Sequence, residues 1–365
     1  MVSTMLITLD EYKDLFGRGY SFWFRDCVVR YNDLFVFVLE PSYTDEQVEE
    51  EERNGWDSSL RPKGWMMLDL SRETGKQWNG HYLFNWQHTV IGAAQKPLNQ
   101  AVMIESTSTY PSMDHKGFVV GSGPAHEDHL FHSYGNEQPT EGNFLRGALT
   151  RLKSLDGWLY GCGGRRSLGK RLDRARWQSF SEDIPIDPTE HRNDIGFKDF
   201  DGWGENDIYA VGGMGDVWHF NGQDWRQIPF PSNMMLSAVC CAGDGQVYIA
   251  AYNGIFRGRD NHWQKIGETP TDLLIKDMVW YEDKVWFTND YGLWTIDNGR
   301  VSRADVPSDV SACAGNLSVG DGVLLLCGLY GAVFRQDGEW HTIIHFGVME
   351  RLLELEQSEL KDQES

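Results

Sequence analysis

The sequence predicts an all-β chain: a seven-bladed β-propeller of four-stranded antiparallel blades, with a short helix at each end. Three observations carry this expectation. Asp-containing turns recur at Asp207, Asp244, Asp283 and Asp321, spaced 37, 39 and 38 residues apart, and a fixed period in this range marks a repeat architecture. After each turn come short apolar runs rich in Val, Ile, Tyr, Trp and Phe, bounded by Gly, Asp and Asn, which is the signature of strands and hairpins. Finally, a Trp closes several units, at Trp78, Trp177, Trp225, Trp263 and Trp340.

Each element has its own justification. Residues 1–18 read as a helical segment, with Thr8 as its cap, Glu11 reaching back three residues later and Gly17 ending it. The propeller is expected over 19–345. Its first unit, Val28 to Pro41, turns at Asn32-Asp33, and its second half begins at Gly64 after an insertion. The second, Pro97 to Thr107, turns at Asn99-Gln100, with Gly117 to Gly123 as the next strand. The third turns at Asp156-Gly157 and ends at Trp177. The last four contain the spaced Asp turns, and their short turns Met214-Gly215, Asn253-Gly254, Tyr291-Gly292 and Tyr330-Gly331 supply a residue that tolerates positive φ. Four strands in about 40 residues make a propeller blade, which cannot bury both faces alone and packs radially on its neighbours. The closing Trp rings are expected on the outermost strands, filling the wedge between diverging blades. Residues 346–365 leave the repeat. There Met349, Leu352, Leu353, Leu355 and Leu360 are spaced for a helix, either packed on the rim or offered to a partner.

Lys284 to Asp297, KVWFTNDYGLWTID, resembles the two-component regulator propeller repeat, in which an apolar strand passes through a Gly-Leu turn into a short strand ending in Asp. The likeness is to a repeat type and is clear over about residues 196–344. It implies a propeller and no catalytic residues. It does not imply a sensor kinase.

The composition is globular, with 13% aromatic and 41% hydrophobic residues in 365. A net charge of −21, from 33 basic and 54 acidic residues, argues against general nucleic-acid binding, which needs a positive surface. It permits attraction to a basic protein partner, or serves simple solubility. No apolar run has the length of a membrane span. The N-terminus lacks a basic start and a long apolar core, so cytoplasmic residence is expected. Cys27, Cys162, Cys240, Cys241, Cys313 and Cys327 lie mostly inside apolar strands without a CxxC pair, so they are expected to be reduced and buried.

Three interruptions of the repeat are the candidate working surfaces. The first, residues 42–63, carries Glu49, Glu50, Glu51 and Glu52 with Trp56 just beyond them. It is either a solvated acidic loop or a prong for a basic cleft. A basic loop over 163–177 includes Arg165, Arg166 and Arg171. It either pairs with acidic groups of neighbouring blades or binds an anion. The third, residues 112–143, is rich in His. On a strand His126, Asp128 and His132 share a face, a weak metal candidate without a recognised zinc spacing.

No nucleophile elbow, P-loop or dinucleotide fingerprint is present, and no cofactor is expected. The function expected is therefore binding of a basic protein, most concretely as an immunity-type inhibitor of a bacterial toxin. Two alternatives remain open: a hydrolase or lyase with its site in the central channel, and a scaffold subunit of a larger assembly.

Overall fold

The computed structural model describes residues 5–363 except 17–20, 43–45, 47, 48, 51, 52, 55–62, 85, 87, 107–113, 132–143, 187, 188 and 190–194. The fold is a seven-bladed β-propeller of four-stranded antiparallel sheets, each with its strands in sequence order. Two compact units make up the chain, one of residues 86–289 and 293–304, the other of residues 1–85, 290–292 and 305–365.

The first unit holds most of blades 2 to 6. Blade 2 comprises Thr89–Ala94, Gln100–Glu105, Asp114–Gly121 and His126–Phe131. Blade 3 comprises Leu149–Leu155, Trp158–Gly163, Ser167–Asp173 and Arg176–Ser179. Blade 4 runs through Asp199–Gly204, Asp207–Gly212, Asp216–Phe220 and Trp225–Gln227. Blade 5 runs through Leu236–Cys241, Val247–Ala251, Gly254–Arg259 and His262–Gly267. Blade 6 consists of Asp277–Tyr281, Lys284–Asn289, Gly292–Asp297 and Arg300–Arg303. The first strands of successive blades lie side by side. Each pair of neighbours shares one apolar cluster. Between blades 5 and 6, for example, Ala238, Cys240 and Tyr248 meet Met278, Val285 and Phe287. Burying each large side chain of this kind contributes roughly 1.5–3 kcal/mol.

The second unit holds blades 1 and 7 and the terminal helices. Blade 1 comprises Ser21–Tyr31, Leu34–Ser42, Lys63–Asp69 and Trp78–Leu83. Blade 7 comprises Gly315–Gly320, Val323–Gly328, Gly331–Gln336 and Glu339–His345. The N-terminal helix, Leu9–Phe16, begins with the expected reciprocal cap: Thr8 N donates to Glu11 Oε2 at 2.9 Å and Glu11 N donates to Thr8 Oγ1 at 3.2 Å. Gly17 lies outside the described residues. The C-terminal helix, Phe346–Gln363, buries Met349 in the same core as Phe16, Phe24 and Phe346. Glu356 on it receives Lys13 Nζ at 2.5 Å. This helix is packed, although Leu352 and Leu355 remain exposed.

The repeat spacing has a direct structural counterpart. Asp207, Asp244, Asp283 and Asp321 all stand where the first strand of a blade turns into the second. The closing Trp residues all stand on fourth strands. All six cysteines are buried thiols outside any disulfide. Cys240 and Cys241 point to opposite faces, into the clusters on either side of blade 5.

Two boundaries differ from the sequence expectation. The basic segment 163–177 is no loop: it is the end of the second strand, a tight turn, the whole third strand and the start of the fourth of blade 3. Its Arg and Lys side chains hid the strand pattern, because the carboxylates that make burial tolerable come from distant segments. Likewise, much of 112–143 is not an insertion, since Asp114–Gly121 and His126–Phe131 are the third and fourth strands of blade 2.

Candidate functional site

The acidic insertion sits between the second and third strands of blade 1, and its described residues between those strands add no strand to the blade. Glu49 and Glu50 are exposed and helical, and Arg53 Nε donates to the Glu49 carbonyl at 3.0 Å. Glu51, Glu52 and Trp56 lie outside the described residues.

The basic segment turns its charges inward. Its tight turn puts Arg165 and Arg166 in left-handed conformation, at φ 56° and 58°. From there Arg166 enters a buried bidentate pair, Nε to Asp216 Oδ2 at 2.8 Å and Nη2 to Asp216 Oδ1 at 3.1 Å. Its guanidinium also donates to the Pro185 carbonyl and lies over the Trp218 ring, 5.3 Å from the centroid. Arg171 is buried, with Nη2 donating to Gln100 Oε1 at 2.8 Å. Lys170 bonds Glu205 and sits 4.3 Å from the Trp158 ring centroid. Arg166 thus pairs with a carboxylate of blade 4 and Arg171 with an amide of blade 2, so both guanidinium groups have partners within the fold.

Of the His-rich candidates, His126 is exposed and its ring meets Phe118 edge-on at 5.2 Å. His132 and the Asp128 side chain lie outside the described residues.

One polar constellation escaped the sequence reading. It lies on the first strands of blades 3 to 6. Arg151 and Lys153 share one face of their strand, as do Asp199 and Asp201, because side chains two residues apart on a strand point the same way. Lys153 Nζ lies 2.8 Å from Asp199 Oδ1. Arg151 Nε lies 3.4 Å from the same oxygen, and its Nη1 reaches Asp277 Oδ2 at 3.3 Å. Blade 5 contributes backbone donors: Val239 N to Asp199 at 2.9 Å and Cys241 N to Asp201 at 2.8 Å. Burial works against the Lys153 charge, but attraction to Asp199, Asp201 and Asp277 outweighs it and holds its pKa above the usual range. Burial raises Asp201 to about 6, against the pull of Lys153 and two backbone donors. The signal was present as Arg-x-Lys and Asp-x-Asp in corresponding strands of adjacent blades. What hid it was the pairing across blades, which no local pattern displays. Chemically, these carboxylates are committed to cations and amides, and the network ties four blades together.

No protein-family model matches the chain. The immune protein Tsi7 of Pseudomonas aeruginosa (strain PAO1) is 25% identical over 321 residues, covering 87% of this chain and 95% of that protein. It is a distant homologue. Among solved structures, the WD40 β-propeller domain of Doa1 matches with a TM-score of 0.54 at 10% identity, covering 88% of this chain and 95% of that one. The WD40 repeats of RRP9 match with a TM-score of 0.53 at 10% identity, covering 89% and 92%. At such identity the two structures speak to the fold alone.

Proposed function

We propose that this chain is an immunity-type protein that binds a protein toxin and neutralises it. The observation that supports it is the match to Tsi7. It runs through 87% of this chain and 95% of that protein, so the likeness is not confined to a few repeats. On this reading the protein works by occupying its partner's surface, and the blades are a rigid scaffold for that contact.

The finer reading is that the toxin is basic. A net charge of −21 supports it, as do the exposed Glu49 and Glu50 between the second and third strands of blade 1. Opposite charge speeds encounter and favours the right partner, and adds less to the final affinity. The setting is the cytoplasm, where six buried thiols outside any disulfide are at home.

The test pairs this chain with the protein encoded beside its gene. Cells producing that neighbour should stop growing without this chain and recover with it, and the two purified proteins should form a stoichiometric complex. Growth arrest that this chain does not relieve, with no complex formed, would sink the reading.

A further inference from the structure

One end of blades 4 and 5 carries an apolar surface that the fold does not use. Among the described residues of 86–289 and 293–304, six large hydrophobic side chains are exposed, and five of them are Met214, Met234, Met235, Tyr252 and Leu273. Each is between 39% and 54% exposed. Met214 and Tyr252 occupy the turns between the second and third strands of their blades. Met234 and Met235 end the segment leading from blade 4 into blade 5, and Leu273 lies on the one leading into blade 6.

The backbone holds these positions together. Met214 and Met235 form an antiparallel bridge. Leu236 N donates to the Gly213 carbonyl at 3.2 Å, and Tyr252 N donates to the Met235 carbonyl at 2.9 Å. Ser232 Oγ bonds Asn253 Oδ1 at 2.9 Å and accepts from Met234 N at 3.2 Å. Further along, Thr271 Oγ1 accepts from Leu273 N at 3.3 Å and from Asn289 Nδ2 at 2.8 Å. The side chains are thus presented on an anchored surface.

The patch is also uncharged in a strongly acidic chain. Residues 210–215, 228–236 and 250–256 contain no Asp, Glu, Lys or Arg. On the outgoing segment Leu273 is flanked by Asp272, which is exposed, and by Lys276, and Glu268 holds Lys265 at 2.7 Å. Solubility selects against exposed Met and Tyr clustered without charge, whereas the centres of protein interfaces are enriched in Met and Tyr and depleted of charge. Met in particular fits an irregular apolar partner surface.

We infer that this patch holds the toxin through an uncharged apolar surface of that protein. The inference rests on the immunity reading and divides the work of binding. Acidic residues elsewhere on the chain set the encounter rate, and the neutral patch sets the lifetime of the complex. An apolar contact is insensitive to salt, whereas steering is screened.

The test uses the full chain and the purified protein encoded beside its gene. Met235→Glu with Tyr252→Glu should leave the melting temperature nearly unchanged, since both side chains are exposed. It should speed dissociation at least about tenfold, as for loss of an interface anchor. Met235→Leu with Tyr252→Phe should keep the wild-type lifetime. If the Glu pair lowers the melting temperature, Met235→Ser with Tyr252→Ser replaces it, with the same expectation. Unchanged dissociation of a folded variant, while the wild type binds and protects, overturns the inference and leaves the immunity reading standing. So does a wild-type dimer that the Glu pair dissolves, because the occupant is then a second copy. A wild type that neither binds nor protects removes both.

Discussion

Arg151 and Asp277 meet at 3.3 Å across three blades and 126 residues of chain. Arg151 also holds Asp199, so one guanidinium links three first strands. The Asp277 side chain is almost fully buried and that of Arg151 largely so. Removing Asp277 would leave a buried cation short of a partner.

Asp277→Ala is therefore expected to cost about 2–4 kcal/mol in urea unfolding, toward the lower part of what breaking a buried pair costs. Arg151→Met with Asp277→Leu is expected to recover part of that loss, because replacing both charges removes the desolvation penalty. If Asp277→Ala unfolds at the wild-type urea concentration, the pair contributes nothing to holding the blades.

Arg166 was a candidate for contacting a partner, yet its two bonds to Asp216 make it structural. Arg166→Met should lower stability by about 3 kcal/mol, by leaving the buried Asp216 carboxylate without its cation. Arg176, exposed on the same segment, should tolerate Gln within about 0.5 kcal/mol. Thermal unfolding of the two variants side by side checks both. Equal stabilities would return Arg166 to the list of binding candidates.

Gly169 makes room for an aromatic stack. A Cβ there would stand 2.2 Å from Phe144 Cγ, and Phe144 lies against Trp177 with centroids 4.8 Å apart. Gly169→Ala should cost about 1–3 kcal/mol by overpacking, measured as a lower midpoint of denaturation. Phe144→Leu introduced with it should restore part of the loss. A neutral Gly169→Ala would show that the stack shifts freely.

Asp201 gives a pH signature. Its folded pKa of about 6 lies above the ordinary aspartate value, so the native state holds this proton more tightly than the unfolded chain does. Its favourable contribution is present at low pH and is lost as pH rises through about 6. Asp201→Asn, which cannot ionise, should therefore gain in melting temperature relative to wild type between about pH 4 and pH 7, then level off. The opposite trend would mean that attraction to Lys153 outweighs burial.

Replacing Glu49, Glu50, Glu51 and Glu52 with Gln should leave the melting temperature nearly unchanged, because Glu49 and Glu50 are exposed and the described residues of the insertion add no strand to blade 1. It should slow association with a basic toxin at low salt, and the difference should shrink as salt rises. Stopped-flow association across a salt series reads this out. Equal rates at every salt concentration would make the insertion a solvated loop and remove the main support for a basic partner.

The sequence by itself determined the blades. Strand alternation, turn residues and a period near 38 residues are local properties, and they placed Asp207, Asp244, Asp283 and Asp321 at corresponding turns and the closing Trp residues on fourth strands. The cap at Thr8 and Glu11 was legible for the same reason, since its bonds span three residues. The tertiary structure alone decided the fate of the charges. Whether Arg166 faces a partner or Asp216, 50 residues away, depends on how adjacent blades pack. So does the meeting of Arg151, Lys153, Asp199 and Asp277, and the gathering of Met214, Met235 and Tyr252 at one end of two blades. A repeat pattern fixes what each blade is. The side chains that meet between blades are fixed by packing, which minimises buried unpaired charge and leaves no mark at any single position in the chain.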